Sequence, residues 1–165
     1  MNIRLARMED IESLNQLFKD VISDMKNKNN YMWNDVYPFC EFENDISNNR
    51  MYLIEDESAI IGSFVLNDLE DPDFECIDWN LKSINWISIN RLAILPQKQG
   101  KGYAKKAMAF IENIAKEKGY DVIRLTVYEN NKNAIRLYEK FGFKKVQKGS
   151  YSINNMIFIG YEKSI

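Results

Sequence analysis

A chain of 165 residues with 45% hydrophobic and 28% charged side chains carries enough apolar material for one substantial core and too little length for two, so a single domain over 1–165 is expected. Its 22 basic and 24 acidic residues leave a net charge of −2, which argues against a nucleic-acid binder. There is no histidine, which excludes a His-based catalytic triad and leaves the two cysteines, Cys40 and Cys76, without metal-binding spacing. Both thiols read as buried or incidental in a cytoplasmic protein. No apolar run approaches the ~18 residues of a membrane span, so no membrane partner is expected.

In chain order, residues 2–6 suggest a short strand. Ile11, Leu14, Leu17, Phe18, Val21, Ile22 and Met25 then recur at helical spacing and predict an amphipathic helix. "KNKNN" ends it, and a less regular helical stretch is expected from about 35 to 47. Strands at 51–55 and 59–66 flank "EDES" as a hairpin, and 67–83 form a polar, acidic connection. A long strand over 84–95 leads into a glycine loop. Ala107, Met108, Ile111, Ile114 and Ala115 mark the apolar face of the next helix, which Gly119 closes. Ile123, Leu125 and Val127 alternate as a strand, "NNKNAIRLYEKF" reads as a short helix closed by Gly142, and strands at 143–149 and 156–163 complete the order β-α-α-β-β-β-α-β-α-β-β.

The glycine loop carries the chemistry. "RLAILPQKQGKGYAKKA", residues 91–107, runs an apolar strand into a helix whose first turns hold no acid. Unpaired amides and the helix dipole make such a start an anion site, suited to phosphate. A Walker loop fails, because Gly102 is followed by Tyr103 and Ala104 rather than by Lys and Ser or Thr. A dinucleotide loop fits Gly100 and Gly102, with Glu129 for the ribose, but places Lys105 where the third glycine belongs. The remaining candidate is the Q/R-x-x-G-x-G/A loop of coenzyme A-dependent acetyltransferases, met by Gln99, Gly102 and Ala104.

A second segment joins it. "NNKNAIRLYEKFGF" matches an Asn-x-x-Ala-(x)3-Tyr pattern followed by Gly-Phe, at Asn131, Ala134, Tyr138, Gly142 and Phe143. Positions 131, 134 and 138 fall on one helical face. With the element order, these two segments resemble the GCN5-related N-acetyltransferase (GNAT) superfamily across nearly the whole chain. The resemblance implies an α/β fold: a central, mostly antiparallel sheet with a parallel splay between the fourth and fifth strands, flanked by helices. It implies acetyl-CoA or coenzyme A as co-substrate without metal, and direct acetyl transfer to the amine of a small molecule or peptide.

By the same resemblance, backbone groups of Leu92, Ala93 and Ile94 bond the pantetheine. The amides of Gln99, Gly100, Lys101, Gly102, Tyr103 and Ala104 hold the pyrophosphate, with Lys98, Lys101 or Lys105 screening charge. Asn131, Asn133, Ala134 and Tyr138 line the cofactor, and Tyr138 protonates the departing thiolate. Some relatives carry a glutamate base on the fourth strand, where this chain has Ser88; a water held by polar groups such as Ser88 and Asn90, or an acidic residue elsewhere in the chain, is the expected substitute, and the base stays open. "YMWNDVYPFCEFENDI" resembles the Trp and Tyr-Pro helix region of a poorly characterised subset of the superfamily, where acceptors bind, which makes Trp33 and Tyr37 further acceptor-side candidates. Homodimer formation is left open.

Each assignment has a plainer counterpart. The loop alone reads equally as a polar turn, Tyr138 as an ordinary helix aromatic, Asn131 as an N-cap, and Trp33, Tyr37, Trp79 and Trp86 as packing residues. The six carboxylates of "NDLEDPDFECID" read as a solvated loop, or as a guide for a cationic acceptor through Asp71, Asp73 and Glu75. Two other functions stay open: a catalytically silent acyl-CoA-binding sensor, and a Rossmann-type dinucleotide-binding oxidoreductase.

Overall fold

A computed structural model describes residues 1–69 and 72–165, and for 72 and 73 the backbone only. Strands β1 (Asn2–Leu5), β2 (Met51–Asp56), β3 (Ala59–Asn67), β4 (Trp86–Ile94), β5 (Val122–Tyr128), β6 (Lys144–Ile153) and β7 (Met156–Ser164) alternate with helices α1 (Ile11–Asn27), α2 (Phe42–Ser47), α3 (Pro72–Glu75), α4 (Tyr103–Glu117) and α5 (Lys132–Lys140). The strands form a seven-stranded sheet in the order β1-β2-β3-β4-β5-β7-β6. β1–β2, β2–β3, β5–β7 and β6–β7 pair antiparallel, whereas β4 and β5 pair parallel over Trp86–Ser88. That is the expected mixed α/β sheet with one parallel pair, and it overturns the Rossmann reading, which needs a parallel doubly wound sheet.

The chain divides into two compact units, residues 1–66 with 90–107, and residues 67–89 with 108–165. In the first, α1 buries Leu14, Leu17, Phe18, Val21 and Ile22 in a core that includes Leu53, Val65 and Ala93. Phe18 is fully buried, with ring centroids of Trp33, Phe39 and Phe42 at 5.2, 6.4 and 4.9 Å. Phe18→Ala is therefore expected to cost about 3–5 kcal/mol, read as a lower midpoint in urea unfolding with an unchanged slope.

The helix expected over 35–47 is shorter. Asn34 Oδ1 accepts the amides of Val36 and Tyr37 at 2.8 and 3.0 Å, a local turn that competes with helix, and Pro38 lacks a donor to continue one. Only a 3-10 turn at Phe39–Glu41 and α2 are helical. The "EDES" hairpin is as expected: Glu57 and Ser58 sit at φ 50° and 66°, the twist that suits a two-residue turn.

In the second unit, the acidic connection is more than a solvated loop. Phe74, Ile77 and Trp79 are buried with Val146, and the Trp79 indole N–H donates to the Phe74 carbonyl at 3.2 Å. A Cβ at Gly149 or Gly160 would lie 2.6 or 2.9 Å from Ile77 Cγ2, so these glycines admit the connection to the sheet. Arg124 lies against both Trp79 and Trp86, 4.8 and 5.1 Å from the ring centroids, which makes both tryptophans packing residues. Glu75 is exposed, while Asp71 and the Asp73 side chain lie outside the described residues.

β6 runs past the expected end at 149 to Ile153, because Asn154 and Asn155, at φ 51° and 63°, turn it tightly into β7. Cys40 and Cys76 are unpaired, as expected, but exposed rather than buried. Among the described residues no helix is long and apolar enough to cross a membrane.

Candidate functional site

The end of β4 and the glycine loop lie in the first unit. The Leu95 amide donates to the Ile61 carbonyl on β3 at 2.9 Å. Since successive amides in a strand alternate in direction, those of Leu92 and Ile94 point away from β3. Ala93 and Ile94 are buried, and Leu92 is half-buried. The Gln99 side-chain amide returns to the Ile94 carbonyl at 3.0 Å, so Gln99 braces the loop through its side chain. Part of the Ile94 acceptor capacity expected for pantetheine is thereby taken.

Gly100 and Gly102 adopt φ of 74° and 84°, and a Cβ built on either meets nothing within 4 Å. Their backbone needs glycine for its conformation, while the space above them is open. The first helical bond is Lys106 N–H to the Gly102 carbonyl, 3.1 Å, and the amides before it have no intrahelical acceptor. α4 follows for 15 residues with no acid in its first turn. An anion at this helix start would meet unpaired amides and no acidic side chain.

Its cations are not equivalent. Lys98 is ion-paired to Asp56 at 3.2 Å, and the Tyr103 hydroxyl donates to the same carboxylate. Tyr103 and then Lys98 hold the Asp56 carboxyl below its usual range. Lys98 is thus committed to the loop's own support. Lys101 and Lys105 are exposed and stand outside the described ion pairs.

α5 lies in the second unit. Asn131 is its N-cap, the side-chain oxygen accepting the Ala134 amide at 3.3 Å. Asn133 is exposed and Ala134 half-buried. Tyr138, 8% exposed, packs against Phe143 with ring centroids 5.9 Å apart. Burial pushes its pKa up to about 12, so the phenol stays protonated through the physiological range. Its hydroxyl has no hydrogen-bond partner among the described residues, unlike that of Tyr161, which donates to Glu139 at 3.2 Å.

A profile described as the acetyltransferase (GNAT) family matches residues 14–143. The chain belongs to that family. Acetyl-CoA is the co-substrate of GNAT acetyltransferases. In sequence, the chain is similar to the spermine/spermidine N(1)-acetyltransferase of Bacillus subtilis, 42% identical over 57 residues, covering 34% of this chain and 38% of the relative. The chain thus spans little more than a third of that curated relative. In structure it is similar to a GNAT family acetyltransferase from Streptococcus agalactiae, with a TM-score of 0.84 at 18% identity over 99% of this chain and 95% of the other. It is also similar to the PaiA N-acetyltransferase of Thermoplasma acidophilum, solved in complex with coenzyme A, with a TM-score of 0.73 at 21% identity over 99% and 98%. At these identities the structural likenesses establish the GNAT fold.

The four acceptor-side candidates separate. Trp33 is 7% exposed within the aromatic core. Ser88 is 2% exposed and its hydroxyl donates to the Asn67 carbonyl at 2.8 Å, so its proton is already placed. Tyr37 is 37% exposed, and Asn90 is half-buried. A feature that sequence reasoning missed joins Tyr37: Arg91 donates to its hydroxyl at 3.2 Å and to Asp45 on α2 at 2.5 Å. Burial works to lower the Arg91 pKa, but Tyr37 and Asp45 outweigh it and leave the guanidinium above its ordinary value. The one available signal was an arginine inside the apolar strand "WISINRLAI".

Proposed function

We propose that the chain transfers the acetyl group of acetyl-CoA to an alkyl amine by direct attack. The observation that carries this is the open, left-handed Gly100–Gly102 turn at the head of α4 in a GNAT chain. In this reading the amides of residues 100–104 hold the pyrophosphate, the Gln99 amide being donated to the Pro96 carbonyl at 3.2 Å, with Lys101 and Lys105 as the available counter-charges. Leu92 and Ile94 offer backbone amides to the pantetheine and thioester, Ala134 leaves room for the cofactor chain, and Asn131 acts through its cap on α5.

An alkyl amine with a pKa near ~10.4 loses its proton at pH 7 at a cost of roughly 4–5 kcal/mol. β4 holds no carboxylate to take it, so the proton passes to water at the polar positions of β4. The Leu92 amide polarises the carbonyl as the oxyanion forms, without reorganising. Tyr138 then gives its proton to the departing thiolate. The transfer is uphill in reference values, from about 12 for the buried phenol to about 8.5 for a thiol. It is helped by the same desolvation, which raises the thiolate's basicity as it raises the phenol's.

The acceptor class this reading favours is a polyamine, by similarity to the spermine/spermidine relative. Thiol release from acetyl-CoA, followed with spermine, spermidine, amino acids, aminoglycosides and peptide N-termini, tests it. CoA should also raise the thermal midpoint by mass action. Release with spermine or spermidine supports the reading in full, and release with another amine moves the acceptor. Binding of acetyl-CoA without release to any amine would select the silent acyl-CoA sensor, and no binding would remove both.

A further inference from the structure

Arg91 holds φ of 50° in the middle of β4. For a side-chain-bearing residue that conformation is disfavoured, and it persists where surrounding contacts over-determine it. Here those contacts come from chain segments some fifty residues upstream. Asp45, 3% exposed, pairs with one terminal nitrogen at 2.5 Å, and the Tyr37 hydroxyl takes the other at 3.2 Å. The Arg91 Nε is buried with no hydrogen-bond partner among the described residues. A guanidinium free to choose would not leave a donor orphaned, so the side chain serves the position of its own backbone.

The peptide that this backbone turns is the one carrying the Leu92 N–H. We propose that Arg91, tethered by Asp45 and Tyr37, is a positioning residue that holds position 91 left-handed and so aims the Leu92 amide at the thioester carbonyl of acetyl-CoA. This rests on the reading of acetyl-CoA as substrate. Tyr37 and α2 thereby act on the reaction through β4 without touching the reacting atoms.

Glycine and alanine at position 91 separate this role from mere support, because glycine enters the left-handed region freely and alanine does not. Both variants carry Asp45→Asn, so that no carboxylate is left buried without its cation. In the Arg91→Ala double variant kcat should fall on the order of 10-fold or more, the scale set by losing the left-handed bias, with the acetyl-CoA KM nearly unchanged. The Arg91→Gly double variant should recover most of that loss. A readout independent of the acceptor is the carbonyl carbon-13 resonance of bound [1-13C]acetyl-CoA. It should shift downfield in wild type, keep most of that shift in the Arg91→Gly double variant, and return towards the free value in the Arg91→Ala one. Equal behaviour of the two double variants, or a wild-type resonance retained with Arg91→Ala, overturns the clamp alone. A wild type that binds no acetyl-CoA overturns it together with the proposed function.

Discussion

Tyr138→Phe is expected to lower kcat by on the order of 10² or more, leaving CoA affinity and the thermal midpoint at neutral pH nearly unchanged. The substitution removes one oxygen and keeps the ring that packs on Phe143. Because the hydroxyl bonds nothing in the described protein, its removal orphans no partner, and the usual cost of breaking a buried hydrogen bond is absent. Loss of rate with affinity retained is the mark of an interaction made in the transition state. Affinity falling along with rate would instead make the hydroxyl a CoA-binding group. Full activity in a single turnover would remove Tyr138 from the mechanism.

The raised pKa adds a signature in pH. The phenol's pKa is pushed from 10.0 up to about 12, so the fold favours the protonated form. The stability this gives is complete below pH 10 and is lost as pH rises through about 12; the Phe variant, having no such group, should keep what wild type loses there. In the same way, wild-type kcat/KM should climb with deprotonation of the acceptor amine between about pH 7 and 10 and show no falling limb from Tyr138 in that range.

Legibility varied with how local the cause of each feature was. α1, the β2–β3 hairpin and the stops at Gly119 and Gly142 were readable because each rests on spacing or on one backbone preference; both glycines do take φ above 80°. The strand end at 149 was misread although "NN" at 154–155 is a hairpin signal, because the polar run before it hid the strand. In the connection from 67 to 83, charge density concealed Phe74, Ile77 and Trp79, whose burial depends on Gly149 and Gly160 far along the chain.

The site followed the same division. The loop glycines and the helical face of 131, 134 and 138 were visible as spacing, yet spacing does not say how a side chain is occupied. Asn131 bonds its own helix, Gln99 the Ile94 carbonyl and Lys98 an aspartate. Trp33 and Tyr37 looked alike in sequence and separate only because α1 offers Phe18 to the first and β4 offers Arg91 to the second. The left-handed turn at Arg91 has no local signature, since arginine does not seek it, and the partners of its side chain, Tyr37 and Asp45, are tertiary contacts.

Gly102→Asp is expected to reduce CoA affinity by on the order of 10²–10³ while the fold survives. The built Cβ at 102 meets no atom within 4 Å, so the new side chain enters open space and clashes with nothing. Its backbone cost comes from φ of 84°, roughly 1–2 kcal/mol for a residue other than glycine, and less for Asp or Asn, whose short polar chains tolerate that region. The cost to binding is electrostatic: two like charges about 4 Å apart repel by about 4 kcal/mol at an effective dielectric near 20, and salt weakens this only where solvent reaches them. Gly102→Asn separates the terms, since it has nearly the same shape and backbone tolerance without the charge. Titration of CoA should rank wild type above Asn and Asn far above Asp, with the gap between Asn and Asp narrowing at high salt. If Asp binds CoA as wild type does, the loop is a turn and the pyrophosphate lies elsewhere; if Asn and Asp are equally poor, shape rather than anion binding governs the site.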